Sequence, residues 1–142
     1  MKSPVCQRDN FGCGIACLAF ITGRPYKKIA EGLDKEKAKT EGFSCRELIA
    51  YLKSSGYRAE YHYLNQKWRK KIYREKTIVF LKRNKKFPSG HYLTRYHTLW
   101  MDPWLNFSKE KSLVLAKAGF RKRLPGKPIY GIFVTGPQKV KA

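Results

Sequence analysis

The apolar residues of this chain change period at Gly56, and no other feature restricts its fold as much. Before Gly56 they recur as helices require. Cys13 to Thr22 is apolar on nearly every side and reads as a buried helix. Gly23 stops it, and Pro25 opens a short second helix, Tyr26 to Leu33, with Ile29, Ala30 and Leu33 on one face. Residues 34–42 read as a charged connection. Ser44, with Glu47 three residues on, has the spacing of a capping box for a third helix that ends near Ser55-Gly56. After Gly56 the residues alternate. Strands are predicted at Tyr57–Tyr63, Thr77–Leu81, His91–Tyr96, Thr98–Met101 and Ile129–Thr135. Lys67–Lys76 reads as a short amphipathic helix, Trp104–Lys109 as irregular, and Ser112–Ala118 as a short helical segment. Helices first and an antiparallel sheet second is an α+β arrangement.

With 142 residues, 42% of them hydrophobic, the chain has material for one core, so the expectation is a single domain spanning 1–142. No apolar run reaches the length of a bilayer span, and Met1-Lys2-Ser3-Pro4 lacks the apolar stretch of a signal peptide, so a cytoplasmic protein is expected. A reducing compartment disfavours disulfides among Cys6, Cys13, Cys17 and Cys45. No Cys-x-x-Cys pair or paired-His motif is present, so neither a metal nor another cofactor is expected. The net charge of +21 points to an anionic partner: nucleic acid, ribosome or acidic protein.

One constellation carries chemistry. A thiol becomes nucleophilic beside a helix N-terminus and an imidazole. Cys13 stands where a loop enters the apolar helix, between Gly12 and Gly14, which would let a substrate backbone approach. His91 follows Gly90 at the start of one strand, and Asp102 ends the next, so a short hairpin can bring them within hydrogen-bond reach. Asp102 would then hold the imidazole in the tautomer that faces the thiol. Gln7, six residues before Cys13, can add its amide to the Cys13 backbone N–H as an oxyanion hole. His97 is the rival base, because it precedes Asp102 by only five residues. Trp100 reads as packing beneath the sheet. For Trp104, packing and a wall of the substrate cleft are both open.

These residues also resemble a family. Gln7-Arg8-Asp9-Asn10-Phe11-Gly12-Cys13-Gly14-Ile15-Ala16-Cys17-Leu18 is similar to the active-site segment of the bacteriocin-processing (double-glycine leader) cysteine peptidases, and Gly90-His91-Tyr92-Leu93 and Asp102-Pro103 resemble their later motifs in the same order. The resemblance implies a papain-like fold, with a helical half bearing the cysteine and a sheet half bearing the histidine and aspartate. It implies Cys13 as nucleophile, His91 as general base and acid, Asp102 as orienter, and Gln7 as oxyanion donor. Gly12 stands where those peptidases often carry Asp, and the membrane and ATP-binding domains fused to the transporter-processing members are not in this sequence. The expectation is therefore the hydrolase class acting on a peptide or protein amide, without the leader-peptide substrate. Deamidation and acyl transfer use the same thioester and stay open. So do two other readings: a basic RNA-binding or toxin-like nuclease domain, whose basic runs at Lys67–Arg74, Lys82–Lys86 and Arg121-Lys122-Arg123 grip phosphates, and a peptide-binding pseudoenzyme.

Overall fold

A ten-residue apolar helix, α1 (Cys13–Thr22), lies at the centre of the molecule, with Gly14 through Ile21 all buried. The computed structural model describes residues 2–107 and 111–137. Gly23 ends α1 in the left-handed conformation, φ 74°, donating its N–H to Ala19 O at 2.9 Å. Glycine adopts that conformation without the clash a Cβ would bring. Around α1 stand α2 (Tyr26–Glu31), α3 (Lys35–Thr40) and α4 (Cys45–Ser54). The capping box of α4 is formed in both directions, Glu47 N–H to Ser44 Oγ and Ser44 N–H to Glu47 Oε1.

The second half builds a six-stranded antiparallel sheet in the order β1-β6-β2-β3-β4-β5. Its strands are β1 (Arg58–Tyr63), β2 (Ile78–Leu81), β3 (His91–Tyr96), β4 (Leu99–Asp102), β5 (Gly119–Arg121) and β6 (Pro128–Thr135). Alternation sends Ile78, Tyr92, Met101, Ile132 and Val134 toward the helices, where they join α1 and α4 in the main core. It sends Val79, Leu81, Leu93, Trp100 and Phe133 to the opposite face. There a second, smaller core is closed by a 3-10 turn (Arg69–Tyr73) through Ile72 and by the β2–β3 loop through Phe87.

Four expectations are corrected. The connection 34–42 holds a helix, α3, because Asp34 caps it (Oδ1 accepts from Glu36 N–H at 2.9 Å) and because Ala38 is buried and its carbonyl takes the Phe11 N–H at 2.8 Å. Lys67–Lys76 is helical only as the 3-10 turn. Ser112–Ala118 shrinks to three 3-10 residues, Leu113–Leu115, because neither Val114 nor Leu115 is buried. The edge strand β5 is absent from the sequence reading. Its three residues are too few to show alternation, and it forms by pairing with β4. The irregular Trp104–Lys109 stretch lies within the described residues only as far as Phe107.

Candidate active site

The loop that leads into α1 sets the position of Cys13. Asp9 O accepts the Gly12 N–H at 3.0 Å, and Asp9 Oδ2 accepts the Tyr26 hydroxyl at 2.8 Å. That hydroxyl occupies the space a side chain on residue 12 would need, so glycine is required there for packing. Gly14 likewise faces Leu48, whose Cδ2 would stand 3.0 Å from an added Cβ. Neither glycine lines the cleft, and the expected role for Gly12 and Gly14 in admitting substrate is replaced by close packing inside the helical half. Cys13 itself is half-buried at the N-terminus of α1, where the first-turn amides have no intrahelical acceptors.

β3 and β4 bring the other two groups together. Their tight turn at His97-Thr98 pairs Thr94 with Met101 and leaves His91 and Asp102 diagonal on one face. His91 Nε2 and Asp102 Oδ1 are 2.7 Å apart, both buried. The remaining ring nitrogen, Nδ1, is then the one left for the Cys13 thiol, which also acts on the imidazole. Burial by itself lowers the basicity of His91. Hydrogen bonding and charge from Asp102 and Cys13 outweigh it and lift the pKa to about 10. Phe87 lies flat on the ring, 4.7 Å between centroids and 1° between planes, and shields one face. His97 is elsewhere. It sits exposed at the hairpin tip, φ 55°, with Nδ1 2.9 Å from Glu75.

Asp102 is completely buried and fully used. Oδ1 accepts from His91 and from the Trp104 N–H at 3.0 Å, and Oδ2 accepts from Arg121 Nη1 at 3.1 Å. Burial pushes the carboxyl up, but these donors prevail and hold it below the ordinary carboxylate value. Arg121 is the site residue that sequence reasoning missed, because it reads there as part of a phosphate-gripping run. Only the pairing of Arg121 with Trp100 across β5 and β4 puts its guanidinium beside Asp102. Phe87 was also missed. An aromatic residue inside an otherwise basic turn was the available signal.

Gln7 is buried beside this group, and its backbone N–H donates to Pro103 O at 3.3 Å. Its Nε2 donates to the carbonyls of Asp9 and Asn10 at 3.0 and 3.1 Å, while Oε1 is buried with no partner among the described residues. In this resting arrangement the amide braces the loop before Cys13. The cleft has a volume of about 880 Å³ and is lined by Gln7, Cys13, Gly90, His91 and Trp104, among others. Gly90 has φ 79°, and any Cβ there would strike the Phe80 ring, so glycine is needed on both counts. Trp104 is at once packed, edge-on to Phe107 at 4.8 Å, and part of the cleft wall. Trp100 is buried under the sheet.

The other thiols differ from Cys13 in setting. Burial pushes Cys6, Cys17 and Cys45 up, Cys17 most of all. All four cysteines are free. Among the described residues no group of three or more His, Cys, Asp or Glu could hold a metal, and no helix is long and apolar enough to cross a membrane.

No family model matches the chain, and no curated protein matches it in sequence. Among solved structures it is similar to the peptidase domain of Streptococcus ComA, a bi-functional ABC transporter involved in a quorum sensing pathway. The TM-score is 0.58 at 18% identity, over 94% of this chain and 98% of that one. The fold is thus α+β of the papain-like type, with the helical half first and the antiparallel sheet second.

Proposed function

We propose that the protein is a cysteine peptidase in which Cys13 is the nucleophile and His91 its acid–base partner, acting on a peptide amide laid along the 880 Å³ cleft. The 2.7 Å bond from His91 Nε2 to a buried carboxylate carries this reading, because it turns the other ring nitrogen toward a thiol at a helix N-terminus. Likeness in fold to a peptidase domain, and the resemblance of the Cys13, His91 and Asp102 segments to bacteriocin-processing peptidases, support it independently.

In the first step Cys13 Sγ, whose proton already rests on His91 Nδ1, adds to the substrate carbonyl carbon. The oxygen takes up the carbonyl electron pair and points at the Cys13 N–H. Gln7 becomes the second donor if one amide hydrogen turns from the Asn10 carbonyl to the oxyanion. An imidazole whose pKa lies near 10 holds the transferred proton comfortably, and Asp102, kept ionised by Arg121, steadies the charge. Collapse of the intermediate breaks the C–N bond as His91 protonates the leaving amine. A thioester to Cys13 remains. Water then attacks with His91 taking its proton, and the acid product leaves with the thiol restored. A glutamine side chain in place of the peptide bond would follow the same steps to a deamidated product.

The test is digestion of a proteome-derived peptide library, read by mass spectrometry, with wild type, Cys13→Ala and His91→Ala. New termini that appear with wild type and are lost in both variants support a peptidase. Deamidated glutamines in place of new termini would reassign the substrate bond. No change of either kind, with Cys13 alkylated no faster than Cys45, refutes catalysis and leaves a peptide-binding role.

A further inference from the structure

The positive charge is not spread evenly. Residues 57–142 hold 21 of the 31 Lys and Arg but only 4 of the 10 Asp and Glu, a net +17, while residues 1–56 carry +4. The fold gathers much of this excess on one surface. Three basic runs cover the sheet face that looks away from the helices, and each is fastened there by apolar residues packed in the second core: Trp68 and Ile72 for 67–74, Phe87 for 82–87, and Leu124 for 121–127. Each run dips its anchor inward and leaves Lys70, Arg74, Arg83, Lys85, Lys122 and Arg123 exposed, while Arg121 turns to Asp102. Backbone pairing joins two of the runs, Lys82 N–H to Lys127 O at 2.8 Å.

Few acidic residues lie near it among the described residues, and each has a partner: Asp102 pairs with His91 and Arg121, Glu75 with His97, and Glu60 with His62, whose ring stacks on Trp68. Apart from Arg121, no cation of the three runs is ion-paired among the described residues. Like charges so close repel one another and lower stability, so an array of this kind is relieved by a polyanion. Tyr73, 59% exposed, lies among these cations with the Arg95 guanidinium 5.1 Å from its ring, which offers a base a stacking surface. The large exposed aliphatic side chains, Leu105, Val114 and Leu115, lie outside the three runs, so this face lacks the apolar wedge of a membrane-inserting surface.

We propose that the outer face of the sheet binds single-stranded RNA, along a track that borders the cleft at Arg83 and Phe87. The backbone phosphates would lie across the three basic runs, with a base stacked on Tyr73. Such binding is electrostatic and tolerant of sequence. About five phosphates neutralised give a slope of about −3.5 in log K against log salt, or about 100-fold weaker binding between 50 and 200 mM.

Fluorescence anisotropy of a labelled 20-nucleotide single-stranded RNA of mixed sequence tests this, using wild type and three double charge reversals. Lys70→Glu/Arg74→Glu and Lys122→Glu/Arg123→Glu alter two different runs of the face. Lys27→Glu/Lys28→Glu makes the same charge change on exposed positions of α2. The proposal expects each outer-face pair to weaken binding at least about 10-fold at 100 mM salt and the α2 pair less than about 2-fold. It expects the alkylation rate of Cys13 to stay unchanged in all three, which also shows that they fold. Equal losses in all three variants overturn it, because net charge alone would then explain binding. So does absence of binding at 50 mM salt. Displacement of the RNA at lower concentration by polyglutamate, or by phosphatidylserine vesicles, overturns it in favour of an acidic protein or a membrane surface.

Discussion

Replacing Asp102 with asparagine removes one charge and turns one acceptor into a donor, and the two carboxylate oxygens are not equivalent in what they lose. With the amide oxygen in the Oδ1 place, the bonds from His91 and the Trp104 N–H survive, but the new NH2 faces Arg121 Nη1 across 3.1 Å, donor against donor. With the amide reversed, Arg121 is satisfied, but the NH2 meets both the Trp104 N–H and the His91 Nε2–H, donor against donor. Arg121 therefore makes either orientation of the substituted amide unfavourable. At 3.1 Å and an effective dielectric near 20 the lost attraction is about 5 kcal/mol gross. Arg121 is 26% exposed, and water reduces that to roughly 2 kcal/mol. A donor left facing a donor adds about 1–2 kcal/mol. The total, about 3–4 kcal/mol, lowers Tm by about 10 °C in a chain of this size. Adding Arg121→Met removes the opposing donor and lets the amide take the orientation that keeps the bond from His91 Nε2. The double variant is expected to melt about 5 °C above Asp102→Asn alone, since roughly half of that loss is recovered. It is also expected to regain most of the Cys13 alkylation rate. The measurement is thermal melting at pH 7 with iodoacetamide labelling followed by intact mass. If the double variant melts at or below Asp102→Asn, the two residues are not coupled and Arg121 does not hold the Asp102 carboxylate.

At pH 7, iodoacetamide should modify Cys13 at least about 10-fold faster than Cys17 or Cys45, whose thiols burial keeps protonated, and His91→Ala should remove most of that difference; peptide mapping reads both. The folded imidazole holds its proton to about pH 10, whereas the unfolded one releases it near 6.5. Its stabilising contribution is whole below pH 6.5 and is lost as pH rises toward 10, so urea melts should show a shallower loss of stability over that window in His91→Gln than in wild type. Asp102 acts in the opposite sense: its contribution is present above its ordinary value of 3.8 and fades as pH falls below it. Gly90→Ala should cost about 2–3 kcal/mol in chemical denaturation, the sum of a left-handed backbone and a displaced Phe80 ring, and should lower alkylation of Cys13 by shifting His91. An Ala variant at this position with wild-type stability would contradict the left-handed backbone there.

The features legible in the sequence were local ones. The apolar run from Cys13 made a helix and placed a thiol at its N-terminus, because burial on every side and the glycine stop at Gly23 both act within a few residues. The 11-residue interval from His91 to Asp102 made a hairpin whose outer ends meet, because a two-residue turn leaves no other register. Docking of the two halves settled which groups reach that hairpin from a distance. His97 is as near to Asp102 in sequence as a base needs to be, yet it caps the turn and points at Glu75. Arg121 became the partner of Asp102 through a three-residue edge strand too short to show a period. Helix α3 depends on a single buried alanine and on a backbone bond to Phe11, neither visible as periodicity. Gly12 and Gly14, flanking Cys13, serve Tyr26 and Leu48 instead of the cleft. Periodicity reports which side of an element is buried; the partner it is buried against is settled when helices and sheet dock, and the burial and hydrogen bonds that define this site form only then.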